Sequence, residues 1–294
     1  MNTSKVSFKT LPVSGFKIFY REAGNPKNPV VLLLHGFPTS SHMFRNLIPQ
    51  LADNYHVIAP DLPGFGFSDA PSHDLFEYTF ENVAKVMGDF VDRMGLKKFA
   101  VYIFDYGAPT GLRIALRFPE RISAIITQNG NAYVEGLSKD WAPVQTYWEK
   151  PTPENRDALR KLQTLETTRW QYYHGVTNPE ERIAPETILL DQTLLDRPQS
   201  AEAQLDLIGD YKTNVELYPK FQEFFRKHQP PTLAVWGKHD PFFLPAGAEA
   251  YRRDNPDAKV VFFDTGHFAL ETHAAEIGEE ILRFLSVVYH SASR

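Results

Sequence analysis

Along the chain the spacing of apolar and polar positions changes several times, and each change predicts an element. Residues 5–10 and 16–21 alternate and read as strands joined by a Pro-Ser-Gly turn. The run Val30-Val-Leu-Leu-Leu34 is apolar without a break, as in a strand buried on both faces of a parallel sheet. A regular rhythm follows: helix 42–52, strand 55–59, helix 79–94, strand 99–104, helix 107–118 and strand 122–127. Their connections are short enough for βα units.

After Asn129 the rhythm stops. Residues 135–225 are helical in character, rich in Trp and Tyr, and punctuated by Pro151, Pro153, Pro185 and Pro198, with no buried-strand signal. Strands resume at 232–236 and 259–263, and an amphipathic helix over 274–288 closes the chain. The pattern predicts an α/β fold: a mostly parallel central sheet flanked by helices, built from residues 1–134 and 226–294, with a helical cap of residues 135–225 inserted. Such a cap lies over the C-terminal edge of the strands, where ligands bind in open α/β sheets. Neither a repeat nor a low-complexity tract interrupts the chain.

Composition narrows the function more than the fold. A formal net charge of −5 gives no electrostatic footprint for nucleic acid or an anionic membrane, and the aromatic residues of the expected cap suggest an apolar pocket, so a small apolar substrate is the expected partner. With no cysteine, disulfides, thiolate nucleophiles and thiolate metal sites are excluded. Residues 1–20 lack the apolar core of a signal peptide and Val30–Leu34 is too short to span a bilayer, so a cytoplasmic location is expected. The histidines show no HExxH and no His-Asp cluster, and the glycines near Gly64 lack GxGxxG; no metal and no cofactor is expected.

Three acid-base residues stand just beyond strands. Asp105 ends the run in VYIFDYGAPTG, Asp240 lies in VWGKHDPFF, and His267 in FFDTGHFALE. Taken singly, Asp105 is also a good helix N-cap, Asp240 before Pro241 a turn former, and His267 an exposed loop residue. Together, in the order nucleophile, acid, histidine, they follow the chain order of a hydrolase triad displayed on strand ends. His267 would then take a proton from an attacking water while Asp240 fixes its tautomer. The loop His35-Gly-Phe-Pro38 follows the VVLLL strand, which makes the backbone N–H groups of Phe37 and Tyr106 the expected oxyanion donors. His35 either braces that loop or lines the pocket, and Asp61-Leu-Pro-Gly-Phe-Gly is expected to be structural.

Taken together, HGFPTSS, DLPGFGFSDAP, FDYGAPTG, WGKHDPFF and GHFALETH resemble the α/β-hydrolases with an aspartate nucleophile: epoxide hydrolases, haloalkane dehalogenases and haloacetate dehalogenases. The resemblance covers nearly the whole chain and is strongest outside the cap. It implies that Asp105 attacks an electrophilic sp³ carbon, forming an alkyl ester that water activated by His267 then hydrolyses. HGFP matches the HGxP of epoxide hydrolases, whose two cap tyrosines protonate the opening ring. GDYKTNVELYP makes Tyr211 the first candidate. QTYWEKPT resembles the segment that supplies the earlier tyrosine, and matching its prolines puts Val144, the residue just before it, at the corresponding position, with Tyr147 one helical turn further on as the possible second donor and Tyr133 and Tyr172 behind it. The dehalogenase alternative wants a Trp where Tyr106 stands and an Asn where Phe37 stands, or halide donors from the cap such as Trp148 and Trp170. An alternative of another class is a capped small-molecule binding protein without turnover.

Overall fold

In the computed structural model, which describes residues 5–291, eight strands form one sheet in the order β1-β2-β4-β3-β5-β6-β7-β8. They are β1 (Ser7–Val13), β2 (Phe16–Ala23), β3 (Val30–Leu34), β4 (His56–Pro60), β5 (Phe99–Phe104), β6 (Ile122–Gln128), β7 (Thr232–Gly237) and β8 (Lys259–Phe263). β1 and β2 pair antiparallel, β2 pairs antiparallel with β4, and the other pairings are parallel. This is the α/β-hydrolase architecture that the motifs imply.

The α-helices among the described residues are α1 (Ile48–Leu51), α2 (Phe80–Arg93), α3 (Gly107–Arg117), α4 (Ala142–Glu149), α5 (Pro153–Ala158), α6 (Leu165–Tyr173), α7 (Pro179–Arg182), α8 (Pro185–Leu195), α9 (Ser200–His228), α10 (Pro245–Asp254) and α11 (Ala269–Ser291). Those from α4 to α9 fall between β6 and β7, where no strand occurs. None of the helices is long and apolar enough to cross a membrane.

Alternation along the central strands builds a core on each face of the sheet. Leu32, Leu34, Val101 and Ile103 join a cluster with α2, α3 and α9, whereas Val31, Leu33, Ala100, Tyr102 and Phe104 join one with α1 and α11. A period of two on a two-sided sheet requires this division, and it explains why VVLLL is apolar at every position.

Three elements depart from the sequence pattern. The helix expected over 42–52 is a 3₁₀ turn, Ser41–Phe44, followed by the single turn of α1. Pro49 lacks an N–H and its ring crowds the carbonyl four residues back, so a continuous helix does not form. The first two strands extend beyond their expected ends, with Pro12 inside edge strand β1 and the turn at Ser14-Gly15. An edge strand tolerates a proline because one side of its ladder is unpaired. The closing helix begins at Ala269, two residues after His267, and bends at His273, where φ and ψ are −132° and 32°. α10 was not anticipated, although Pro245 at its first turn is an ordinary helix-start signal.

Candidate active site

The residues around Asp105 are held by a turn too tight for side chains on its neighbours. β5 ends at Phe104, α3 begins at Gly107, and Asp105 between them takes a left-handed φ of 47°. Aspartate tolerates that region better than most residues, although the conformation still costs on the order of 1 kcal/mol. The turn presses against the end of β3. A Cβ on Gly107 would lie 2.3 Å from the Leu34 carbonyl oxygen, and one on Gly36 would lie 2.3 Å from Asp105 Oδ1. Glycine at both places lets the HGFP loop reach the carboxylate.

That approach puts a donor on one of its oxygens. The Phe37 N–H donates to Asp105 Oδ1 at 2.6 Å, and the backbone N–H of Tyr106 lies close enough to favour the charged carboxylate. Oδ2 lies 3.8 Å from His267 Nε2, beyond hydrogen-bonding range. Burial pushes the Asp105 carboxyl up to about 6, against the favourable effects of His267 and the two N–H groups.

His267 and Asp240 form a direct pair. His267 Nδ1 lies 2.7 Å from Asp240 Oδ2, so with Nδ1 protonated Nε2 faces Asp105 as an acceptor. Burial disfavours charge on the imidazole, but Asp240, by charge and hydrogen bond, and then Asp105 outweigh it and raise its pKa. Asp240 is itself fixed: Asn129 Nδ2 donates to Oδ2 at 2.7 Å and the Phe242 N–H to Oδ1 at 2.7 Å. Asn129, at the end of β6 with φ of 46°, also accepts from the Gly237 N–H at 2.9 Å. Sequence reading passed over Asn129; its place before Gly130, just beyond a buried strand, was the available signal.

His35 has both ring nitrogens engaged. Nδ1 lies 3.0 Å from the Gly36 carbonyl, and Nε2 accepts from the Leu62 N–H at 2.9 Å. Complete burial holds its pKa down, and the ring braces two loops rather than lining the pocket. Asp61 ties the same loops, accepting from the Ser41 and Phe67 N–H groups at 2.7 Å each.

Asp105 opens on a cavity of about 60 Å³ lined by Phe37, Tyr106, Asp140, Trp141, Val144, Leu162, Gln171, Ile208 and Phe242. No Lys, Arg or His lines it, and both acids that do, Asp105 and Asp140, repel a carboxylate-bearing ligand.

The aromatic residues expected from the insertion are distributed unevenly. Tyr211 is buried beside the cavity, its ring centroid 6.1 Å from that of Tyr106 and 4.5 Å from that of Trp141, with its hydroxyl 3.5 Å from that of Tyr218. It is not one of the lining residues. Burial, then Tyr218, then the Asp105 charge raise its pKa. Tyr106 does line the cavity, and its phenol pKa is raised by burial and next by Asp105.

Tyr147 does not reach this cavity. Val144 does, and Tyr147, rotated by roughly 60° on α4, opens instead on a separate outer pocket with Arg156 and Gly209. Trp148 faces the outer pocket too and has given its indole N–H to the Ile208 carbonyl at 3.1 Å. Trp170 is 39% exposed and packs edge-on behind Phe242. Neither tryptophan therefore serves the cavity as a donor. Tyr172 bonds Asp191 at 2.5 Å, and Tyr133 packs against Tyr251; neither lines the cavity. Asp140, Leu162, Gln171 and Phe242 had no motif to mark them. No group of three or more His, Cys, Asp or Glu among the described residues has the arrangement of a metal site.

Comparison with known proteins gives matches along most of the chain. A family model described as the alpha/beta hydrolase fold matches residues 29–274. The chain is 48% identical to an uncharacterized hydrolase of Saccharomyces cerevisiae, over 91% of this chain and 93% of that one. It is 27% identical to Epoxide hydrolase 3 of Xenopus tropicalis, over 92% of this chain and 75% of the relative. A loop variant of haloalkane dehalogenase DbeA from Bradyrhizobium elkanii superposes with a TM-score of 0.75 at 22% identity, covering 98% and 99% of the two chains, a likeness of fold.

Proposed function

Because the chain belongs to the α/β-hydrolase fold family, we propose that it hydrolyses small epoxides to vicinal diols through an ester on Asp105. The observation that carries the reading is the division of labour at the Asp105 carboxylate. Oδ1 is gripped by the Phe37 N–H, while Oδ2 stands 3.8 Å from His267 Nε2 with no protein donor between them. A carboxylate needs no base to become nucleophilic above about pH 6, which leaves His267 free to act on water. A serine-type site would instead require histidine and nucleophile in hydrogen-bond contact.

Oδ2 attacks a ring carbon, the carbon–oxygen bond breaks, and the departing oxygen takes a proton from a tyrosine. Tyr211 is the donor we assign, with Tyr106 as the second phenol; both lie within the field of Asp105. His267 then takes a proton from water as it adds to Cγ. The oxyanion forms on Oδ1, which the Phe37 N–H already bonds, and we assign the neighbouring Tyr106 N–H as the second donor. Collapse releases Oδ2 with the product, and the two protons of the consumed water end on the product oxygen and on the tyrosine. The inserted helices act as the cap that closes the cavity over this chemistry.

The relative named Epoxide hydrolase 3 supports the substrate class. Dehalogenation is the second reading, favoured by the absence of Tyr147 from the cavity, since a halide departs without a proton. A panel of epoxides and haloalkanes, monitored for diol and for halide, separates the two. Diol formation is the expected result. Halide without diol replaces the substrate class, and neither product across the panel favours a binding protein.

A further inference from the structure

One polar side chain in the cavity has no task in this mechanism. Gln171 lies on α6, is 2% exposed, and lines the cavity together with Asp105 and Tyr106. Its neighbours on the inner face of the helix use their polar atoms on α8: Thr168 Oγ1 donates to Gln192 Oε1 at 2.8 Å and Tyr172 OH to Asp191 at 2.5 Å. Among the described residues, the Gln171 amide has no hydrogen-bond partner.

The surroundings hold the helix that carries the amide in place. Tyr172, the next residue, stacks on Phe268 with ring centroids 3.9 Å apart, and Phe268 adjoins His267. The helix is thus fixed to the segment that carries the histidine. The cavity wall near the amide is otherwise largely apolar, with Leu162, Val144 and Phe242. With no protein partner the amide is left to water in the cavity, and a ligand that supplies those hydrogen bonds takes the place of that water, whereas an apolar group strands the amide.

We infer that Gln171 selects substrates by hydrogen-bonding a polar substituent next to the reacting carbon, so that the preferred class is small epoxides bearing a hydroxyl, ether or carbonyl group. This rests on the epoxide reading of the site. The amide presents two donors and one acceptor, which a hydroxyl matches in either direction. Gln171 and Asp105 line the same small cavity, so a substituent next to the reacting carbon shares it with the amide, and an alkyl group there leaves the amide unpaired.

The test compares two oxiranes of nearly equal shape, one carrying hydroxymethyl and the other ethyl. In the unaltered protein the hydroxymethyl compound is expected to show kcat/KM about 10- to 100-fold higher. In Gln171→Met the ratio is expected to fall to about threefold or less, mainly through KM. Trapping the ester in His267→Gln with both compounds keeps the two claims apart. If both compounds form the ester and the unaltered protein shows no preference, the Gln171 assignment is overturned while the Asp105 reading stands. The assignment also falls if the preference survives in a folded Gln171→Met variant. No ester and no diol from either compound overturns the epoxide reading itself.

Discussion

The sheet and the helical insertion meet at the same cavity but fix their side chains by different means. On the sheet side, Asp105, Asp240 and His267 each follow a strand within a few residues, and the strands β5 and β7 behind the first two are wholly buried. Backbone hydrogen bonding along those strands leaves little freedom in where each loop starts. On the other side, α4 to α8 are between 4 and 11 residues long and meet the cavity through single side chains such as Val144 and Gln171. There a shift of one helical turn replaces Val144 by Tyr147 and moves a phenol out of the cavity. On the proposed mechanism, chemistry set by the sheet should tolerate change in the helices, whereas substrate choice should depend on their register.

Substitutions on the two sides should differ accordingly, with the largest effect at the elbow. Asp105→Asn keeps the shape and an acceptor for the Phe37 N–H, and steady-state turnover should fall on the order of 10⁴-fold or more. Its stability should change with pH in a definite direction. A folded carboxyl raised to about 6 stabilises the fold while protonated, and this contribution is lost as pH rises from the unfolded value near 4 through about 6. Thermal melts should show Asp105→Asn gaining on the unaltered protein across that window. A constant gap would argue against a buried, strained charge.

Gly36→Ala comes next. Its methyl group would meet Asp105 Oδ1 at 2.3 Å and Tyr106 N at 2.7 Å, displacing the donors, and turnover should drop about 10²-fold. Retained activity would show that the HGFP loop can retreat without loss. On the insertion side, Tyr211→Phe should lower epoxide turnover by roughly 10- to 100-fold, the lower range for general acid help, since Tyr106 remains. Tyr147→Phe should change it by less than about twofold, because the ring faces the outer pocket. Equal losses at Tyr211 and Tyr147 would erase the distinction between the ring beside the cavity and the ring in the outer pocket.

The same contrast explains what was legible in the sequence. Continuous apolar runs ending in Asp, Gly or His marked the core strands and the three acid-base positions, because a period of two and a strand end are local signals. Asn129 was missed because its task, holding Asp240 across β6 and β7, is a pairing between strands more than a hundred residues apart in the chain. Trp148 looked available until its indole was seen bonded to Ile208, and Gln171 carried no signal at all. Side chains placed by helix packing take their direction from contacts that no short motif encodes.

Activity should also respond to pH through both members of the pair. In the proposed mechanism Asp105 attacks as the ionised form, with its carboxyl pushed up to about 6, and His267 accepts a proton as the neutral form although its pKa is raised. Turnover should therefore climb as pH rises through 6 and level off only above it. An acid limb near 4 would place the nucleophile elsewhere.

The most direct measurement uses His267→Gln with a substrate that the unaltered protein turns over. Incubation followed by digestion and mass spectrometry should find the mass of the intact epoxide added to the peptide containing Asp105, since the ester forms but is not hydrolysed. An unmodified Asp105 peptide under those conditions would contradict a covalent ester on this carboxylate.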